Sequence, residues 1–230
     1  MKSPQEPSAP RMASEEFAIK DCALIAIATG QKAITLKEFL SCLLDTSPGS
    51  IYYHFWGELL QPRFEEREYN NDFAGWARHF LHDAILAERL AVIDPTDFEH
   101  LEDLRQEVVD LVEQRLDESE YLHWSHATRQ FEFIHSQIVV FDTRQRIRRP
   151  EQLADAIPAV SASTIFYHFI DARRRSPDGT DDFRNWLRGL GPQYDALRAR
   201  LATVDPYFGS LFELRDELAG IFAEFSGKTS

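Results

Sequence analysis

Three consecutive arginines, Arg173-Arg174-Arg175, follow Tyr167-His168 and precede the turn-forming run Ser176-Pro177-Asp178-Gly179 and the acids Asp181-Asp182. A guanidinium cluster presents forked N–H donors that match a phosphate or a carboxylate. The neighbouring tyrosine and histidine add a hydroxyl and an acid–base group. Tyr167, His168, Arg173, Arg174 and Arg175 therefore form the first candidate site, for an anionic ligand or for catalysis. The arginines could equally pair with acids of residues 17–117, making an interface within one chain or between two.

A second Tyr-His pair, Tyr53-His54, lies earlier in the chain. If His54 and His168 met in space they could act as an acid–base pair or as two metal ligands. A metal needs further ligands converging there, and no tight His/Cys/Asp spacing supplies them. The better expectation is a histidine on a packed helix, hydrogen-bonded to a carboxylate or carbonyl, with no metal and no cofactor. His79, His82 and Asp83 read as a solvated helix face. No glycine-rich phosphate loop, Ser–His–Asp set or zinc signature is present, and no catalytic residue is assigned.

The elements around the two pairs are written twice. Gly49-Ser50-Ile51-Tyr52-Tyr53-His54-Phe55 returns as Ser163-Thr164-Ile165-Phe166-Tyr167-His168-Phe169, and 168 − 54 = 114. The same offset aligns Phe17 with Phe131 and Leu24 with Ile138. An offset of 110 aligns Asp72-Phe73 and Trp76 with Asp182-Phe183 and Trp186. Asp94-Pro95 returns as Asp205-Pro206. Several groups in one order over about a hundred positions indicate an internal duplication. The expected organisation is a tail (1–16), repeat one (17–117), a linker (118–130), repeat two (131–226) and a short tail (227–230). The two halves are expected to pack with approximate two-fold symmetry.

Each repeat opens on an apolar run followed by a turn-like group, Thr29-Gly30-Gln31 or Asp142-Thr143-Arg144, which suggests a short β hairpin at each head. The rest reads as mainly α. Thr35 with Glu38 forms a capping box, and Phe73, Trp76, Phe80, Ala84 and Ala87 make one amphipathic helix. Asp72, Asp182, Asp94 and Asp205 are expected to cap helix starts. Arg105 and Arg215 are expected to bridge to those acids as structural ion pairs.

The chain has 230 residues and a formal charge of −13, with 43% hydrophobic residues. Repeat one carries 9 basic and 19 acidic residues (9 − 19 = −10), and repeat two 12 and 14 (12 − 14 = −2). Such acidity disfavours a general nucleic-acid surface, and any anion-attracting face belongs to repeat two. No stretch approaches a membrane span. Cys22 and Cys42 have no counterparts in repeat two and read as thiols of a reducing cytoplasm.

Leu153-Ala154-Asp155-Ala156-Ile157 through Tyr167-His168-Phe169 resembles the helix-turn-helix of tetracycline-repressor-type regulators, which implies Tyr167 and His168 near DNA phosphates. The motif lies mid-chain here, and its copy in repeat one is surrounded by Lys37, Glu38, Asp45 and Glu58. A wider similarity rests on Tyr52-Tyr53-His54-Phe55, Glu68-Tyr69-Asn70-Asn71-Asp72-Phe73, Leu86-Ala87-Glu88-Arg89-Leu90, Ile93-Asp94-Pro95 and Phe166 through Arg175. These runs are similar to an uncharacterised bacterial family, a domain of unknown function with members encoded near glycosyltransferases and other sugar genes. That resemblance implies a link to carbohydrate metabolism and carries over no catalytic residue. The expectation is a non-catalytic cytoplasmic interaction or regulatory protein with a protein partner or a second copy. An enzyme or anion binder built on His168, Tyr167 and the arginines is the alternative, and a DNA-binding regulator the third.

Overall fold

The computed structural model describes residues 16–60, 68–207 and 209–227. The expected tails fall almost wholly outside these residues, as does most of the acidic loop after Leu60. Two long strands, β1 (Phe17–Thr35) and β2 (His126–Ile147), pair antiparallel in one two-stranded ribbon. Everything else described is helix, turn or loop. The mainly helical expectation holds, and the two local hairpins do not form.

The hairpin signals are explained by bulges. Gly30 (φ 82°) and Arg144 (φ 64°) occupy the left-handed region, and register shifts fall between Ala28 and Lys32 and between Ala18 and Lys20. An extra residue with positive φ kinks a strand without ending it. A turn and a bulge share this local chemistry, and only a partner strand a hundred residues away separates them.

The ribbon is buried at its ends and open in its middle. Phe17 and Ile19 of β1 and Ala127, Phe131 and Phe133 of β2 are buried, whereas Ile25, Ile27, Val140 and Phe141 are exposed. At one end Phe131 meets Phe39, Phe73 and Trp76 at centroid distances of 5.1, 5.5 and 5.8 Å. At the other, Phe17 meets Phe183 at 5.2 Å and Trp186 at 5.3 Å. Each strand thus packs its opening aromatic residue on helices from the other half of the sequence. Aromatic contacts of this kind add to the large apolar area buried.

Thr35 caps α1 (Leu36–Asp45) with its reciprocal Glu38 bond, as the sequence predicts. α2 (Pro48–Trp56) carries the first Tyr-His pair, with Pro48 in its first turn. The single helix expected from Asp72 is two, α3 (Asp72–His79) and α4 (Ala84–Ala91). His82 turns left-handed between them (φ 60°), and Asp83 accepts from Leu86 N to start α4. α5 (Leu101–Asp117) closes the first half; Phe98 lies just before it. After β2 come α6 (Leu153–Ala156) and α7 (Ala162–Ile165). The chain then widens into a π-helical turn, Phe166–Asp171, and tightens again as α8 (Ala172–Arg175). α9 (Asp182–Leu190), α10 (Asp195–Ala202) and α11 (Leu211–Phe225) complete the fold. One continuous apolar cluster runs through both halves.

The α3–α4 break is held by charge as well as backbone. Asp83, 5% exposed, accepts from Arg115 Nε of α5 at 2.8 Å. Asp83→Ala removes a cap and leaves a largely buried guanidinium short of a partner, at a cost of about 3 kcal/mol. In thermal unfolding this lowers Tm by roughly 6–12 °C; an unchanged Tm would refute the account.

Candidate functional site

His54 lies on α2, where Phe73 and Phe131 pack against its ring. Its Nδ1 donates to Asp72 Oδ2 at 2.8 Å, and its Nε2 accepts from the Ile134 amide of β2 at 3.1 Å. His168 repeats the arrangement in the π-turn. Its Nδ1 donates to Asp182 Oδ2 at 2.7 Å, and its Nε2 accepts from the Lys20 amide of β1 at 2.9 Å. A backbone N–H can donate only to a nitrogen carrying a lone pair, so each ring is neutral, protonated on Nδ1. The lone pair that a metal or substrate proton would need is already engaged. Both rings are clamps between a helix start and a ribbon strand.

The histidines are 2% and 3% exposed, sit in separate aromatic nests and do not meet. What faces across the halves instead is Tyr52 and Phe166, at a centroid distance of 6.3 Å. Asp72 and Asp182 are not the caps expected of them. Asn71 and Asp181 take that place, accepting from Ala74 N and Arg184 N. This leaves the next carboxylate, in the first helical turn, free for the histidine. Asp94 caps the 3-10 turn Pro95–Asp97 as expected, accepting from Thr96 N, and Asp205 accepts from Tyr207 N in a turn. Arg105 does not bridge to either acid: it donates to the carbonyls of Leu43, Leu44 and Thr46 and pairs with Glu102. Arg215 pairs with Asp216 and lies over Phe212. His79 and Asp83, in ligand-like spacing, part to Glu68 and Arg115. Among the described residues no group of His, Cys, Asp or Glu could hold a metal ion.

The arginines are bound inward. Asp171, 1% exposed, accepts from Arg174 Nη2 at 2.9 Å, Arg175 Nε at 2.8 Å and the Tyr52 hydroxyl at 3.1 Å. Arg175 also reaches Asp182 Oδ2 at 3.1 Å and the Tyr167 carbonyl at 3.0 Å. The three guanidinium groups lie over Phe169, Tyr52 and Tyr167. The acidic partners of Arg174 and Arg175 come from their own half, and Arg174 lies over the Tyr52 ring of residues 17–117. The π-turn makes this possible, because it ends on Asp171 with Arg174 and Arg175 three and four residues on. Tyr53 and Tyr167 are buried beside their histidines, and burial pushes the Tyr167 phenol above its ordinary pKa. Tyr52 is shifted up by burial and by Asp171. Burial also pushes the Cys22 thiol up to about 12.

A cavity of about 590 Å³ opens where the halves meet. Arg173 and Arg174 line it from the second half, the Asp97–His100 segment lines it from the first, and Tyr52 and Trp56 are also in the lining. The sequence alone assigns no role to Asp171, which opens the arginine segment, or to Trp56. Asp171 was discoverable, since an acid three and four residues before two arginines predicts an intrahelical pair. Trp56 gave no such signal.

The architecture defines a helical protein built on a clamped ribbon, with its polar clusters tied into the fold. Residues 14–223 match the model of a family of unknown function (DUF5752), and the chain belongs to that family. A solved structure, OrfY from Thermoproteus tenax, matches with a TM-score of 0.79 at 25% identity, over 92% of this chain and 96% of that one. No curated protein matches.

If the imidazoles are clamps, His54→Ala and His168→Ala lose similar stability, each about 2–4 kcal/mol. Urea denaturation measures it; a loss confined to one variant would contradict the shared role. Burial pushes the Asp182 carboxyl up, but the bonds from His168 and Arg175 outweigh it and leave its pKa lowered. Its stabilisation is therefore complete above the ordinary carboxylate pKa, near 4, and lost as pH falls through the lower folded value. The stability gap between wild type and Asp182→Asn should shrink from pH 6 towards pH 3.

Proposed function

We propose that this chain is a non-catalytic interaction or regulatory protein of the cytoplasm, formed by internal duplication and serving carbohydrate-handling enzymes. The open middle of the ribbon carries the interaction reading. Ile25, Ile27 and Phe141, which the register places on one face of the ribbon, are 46%, 43% and 51% exposed, and Val140 on the other face is 43% exposed. Apolar side chains gathered on a solvent-facing sheet mark a surface for another protein, and so do unpaired strand edges. The engaged histidines favour this reading over the enzyme. The carbohydrate link rests on the family resemblance.

The duplication is supported by how equivalent positions meet. Leu24 pairs directly with Ile138 in the ribbon, and 138 − 24 = 114. The two clamps use His54 with Ile134 and His168 with Lys20, where 168 − 54 and 134 − 20 are both 114. Gly30 and Arg144, the bulge residues, differ by the same number. An antiparallel pair of equivalent strands has a two-fold axis at its centre, which falls between Leu24 and Ile138.

A repressor role needs Tyr167 and His168 at the surface, and they are 6% and 3% exposed. Phe166 and Phe169 are fully buried and the neighbouring arginines hold carboxylates. No shift of duplex DNA is expected at micromolar protein, even at about 50 mM salt, where phosphate contacts are strongest. A salt-sensitive shift lost on replacing Arg173–Arg175 with alanine would reverse this choice.

Cross-linking with mass spectrometry in native extract tests the interaction reading. Links from the ribbon middle to a second copy or to one partner protein are expected, lost in Ile25→Glu/Ile27→Glu with Tm unchanged. Links that avoid the ribbon, or survive the substitutions, would remove its support.

A further inference from the structure

We propose that the cavity between the halves binds a small hydroxylated organic phosphate, with its phosphate on the Arg173–Arg174 wall and its hydroxyls on the Asp97–Glu99 wall. Arg173 is the arginine of the three with no ion pair among the described residues. Its Nε and Nη2 are buried without a hydrogen-bond partner, and the indole Nε1 of Trp56, a residue 7% exposed, is in the same condition. Both residues line the cavity. These unmet groups are all donors, so the chemistry they lack is an acceptor. A buried donor left unmatched has lost its water and gained no acceptor, which is unfavourable. Among the described residues no carboxylate within ion-pair distance competes with an anion for this guanidinium.

Charge points the same way. Arg173, Arg174 and Arg175 face two carboxylates, Asp171 and Asp182, and 3 − 2 leaves one positive charge on this wall. Burial lowers the Arg173 pKa, a sign of a cation short of compensation, although Asp181, Asp205 and Asp94 act on it from further away. Asp178, also in the lining, is taken by Arg188 at 2.6 Å. Asp97 and Glu99, which line the cavity from the first half, are exposed and make no ion pair among the described residues. Free carboxylates repel a bare anion and accept from hydroxyls. One wall selects the phosphate and the other the alcohol groups. The volume suits one small molecule.

The two walls are unlike because the proposed repeats diverged here. Arg173 and Arg174 stand 114 residues after Leu59 and Leu60. A basic cluster in one copy alone turns a symmetric junction into a site with direction. The inference does not depend on the ribbon surface, and either can fail alone.

Isothermal titration of the full chain at about 150 mM salt tests it, with a hexose 6-phosphate, glycerol phosphate, the free hexose and inorganic phosphate as probes. Saturable binding of the phosphorylated sugar or polyol is expected, with phosphate and hexose each at least about tenfold weaker. Arg173→Ala should weaken binding by about tenfold or more. Asp97→Asn/Glu99→Gln, both surface positions, should narrow the preference for the hydroxylated probe over phosphate. Modification of Arg173 by phenylglyoxal, read by mass spectrometry on the wild type, should be blocked by the bound probe. No saturable binding of any probe, equal binding of inorganic phosphate, or labelling of Arg173 unaffected by ligand would overturn the proposal.

Discussion

Antiparallel pairing of two strands whose centres lie more than a hundred residues apart is the constraint on which this structure rests. Bringing them together closes a long loop, an entropic cost that local contacts cannot offset until the ribbon forms. The offset comes from both ends of the ribbon at once, where Phe17 and Phe131 enter aromatic nests on opposite helical layers. The imidazole clamps act at the same places. Each joins a helix start to a strand amide through one neutral ring, so strand position and helix position are set together. Moving β1 by one residue would send its buried set to the open face and take the Lys20 amide from His168.

Periodicity exposed the elements, and the repeated spacing is the ground for the proposed duplication. Thr35 with Glu38, the prolines after Asp94 and Asp205, and the apolar stripes reported local chemistry, which a linear reading can weigh. The ribbon was hidden because its two bulges imitate turns. Likewise the break between α3 and α4 depends on Asp83 meeting Arg115, a tertiary contact that an unbroken helical stripe conceals. For the candidate site, the expectation of histidines hydrogen-bonded on packed helices carried through, and their amide partners on the opposite strand could not be read from spacing. Asp72 and Asp182 show how near misses arise: the residue just before each does the capping, Asn71 through its side-chain oxygen and Asp181 through its carboxylate.

Arginine density is a poor guide to function without its partners. Arg173–Arg175 looked like an exposed basic flank, yet the π-turn delivers Asp171 beneath two of them, and stacking on Tyr52 and Tyr167 covers their faces. A buried carboxylate shared by two guanidinium groups and a tyrosine hydroxyl fixes the end of α8. Removing one partner of such a set strands the others, so its members act together. The arginine left outside that arrangement is the one whose chemistry stays open.

If the halves arose by the proposed duplication, the crossing of Phe17 and Phe131 between them bears on how such a chain came about. A half that keeps its own strand but lends the aromatic residue at its tip cannot complete its core alone. On that proposal a single copy would have been an obligate homodimer, folded only above a threshold concentration. Joining two copies through residues 118–130 makes the second association intramolecular, at an effective concentration set by the tether rather than by expression. Once dimerisation no longer has to be symmetric, each half can change by itself. Selection can then act on one face of the junction while its twin stays as it was.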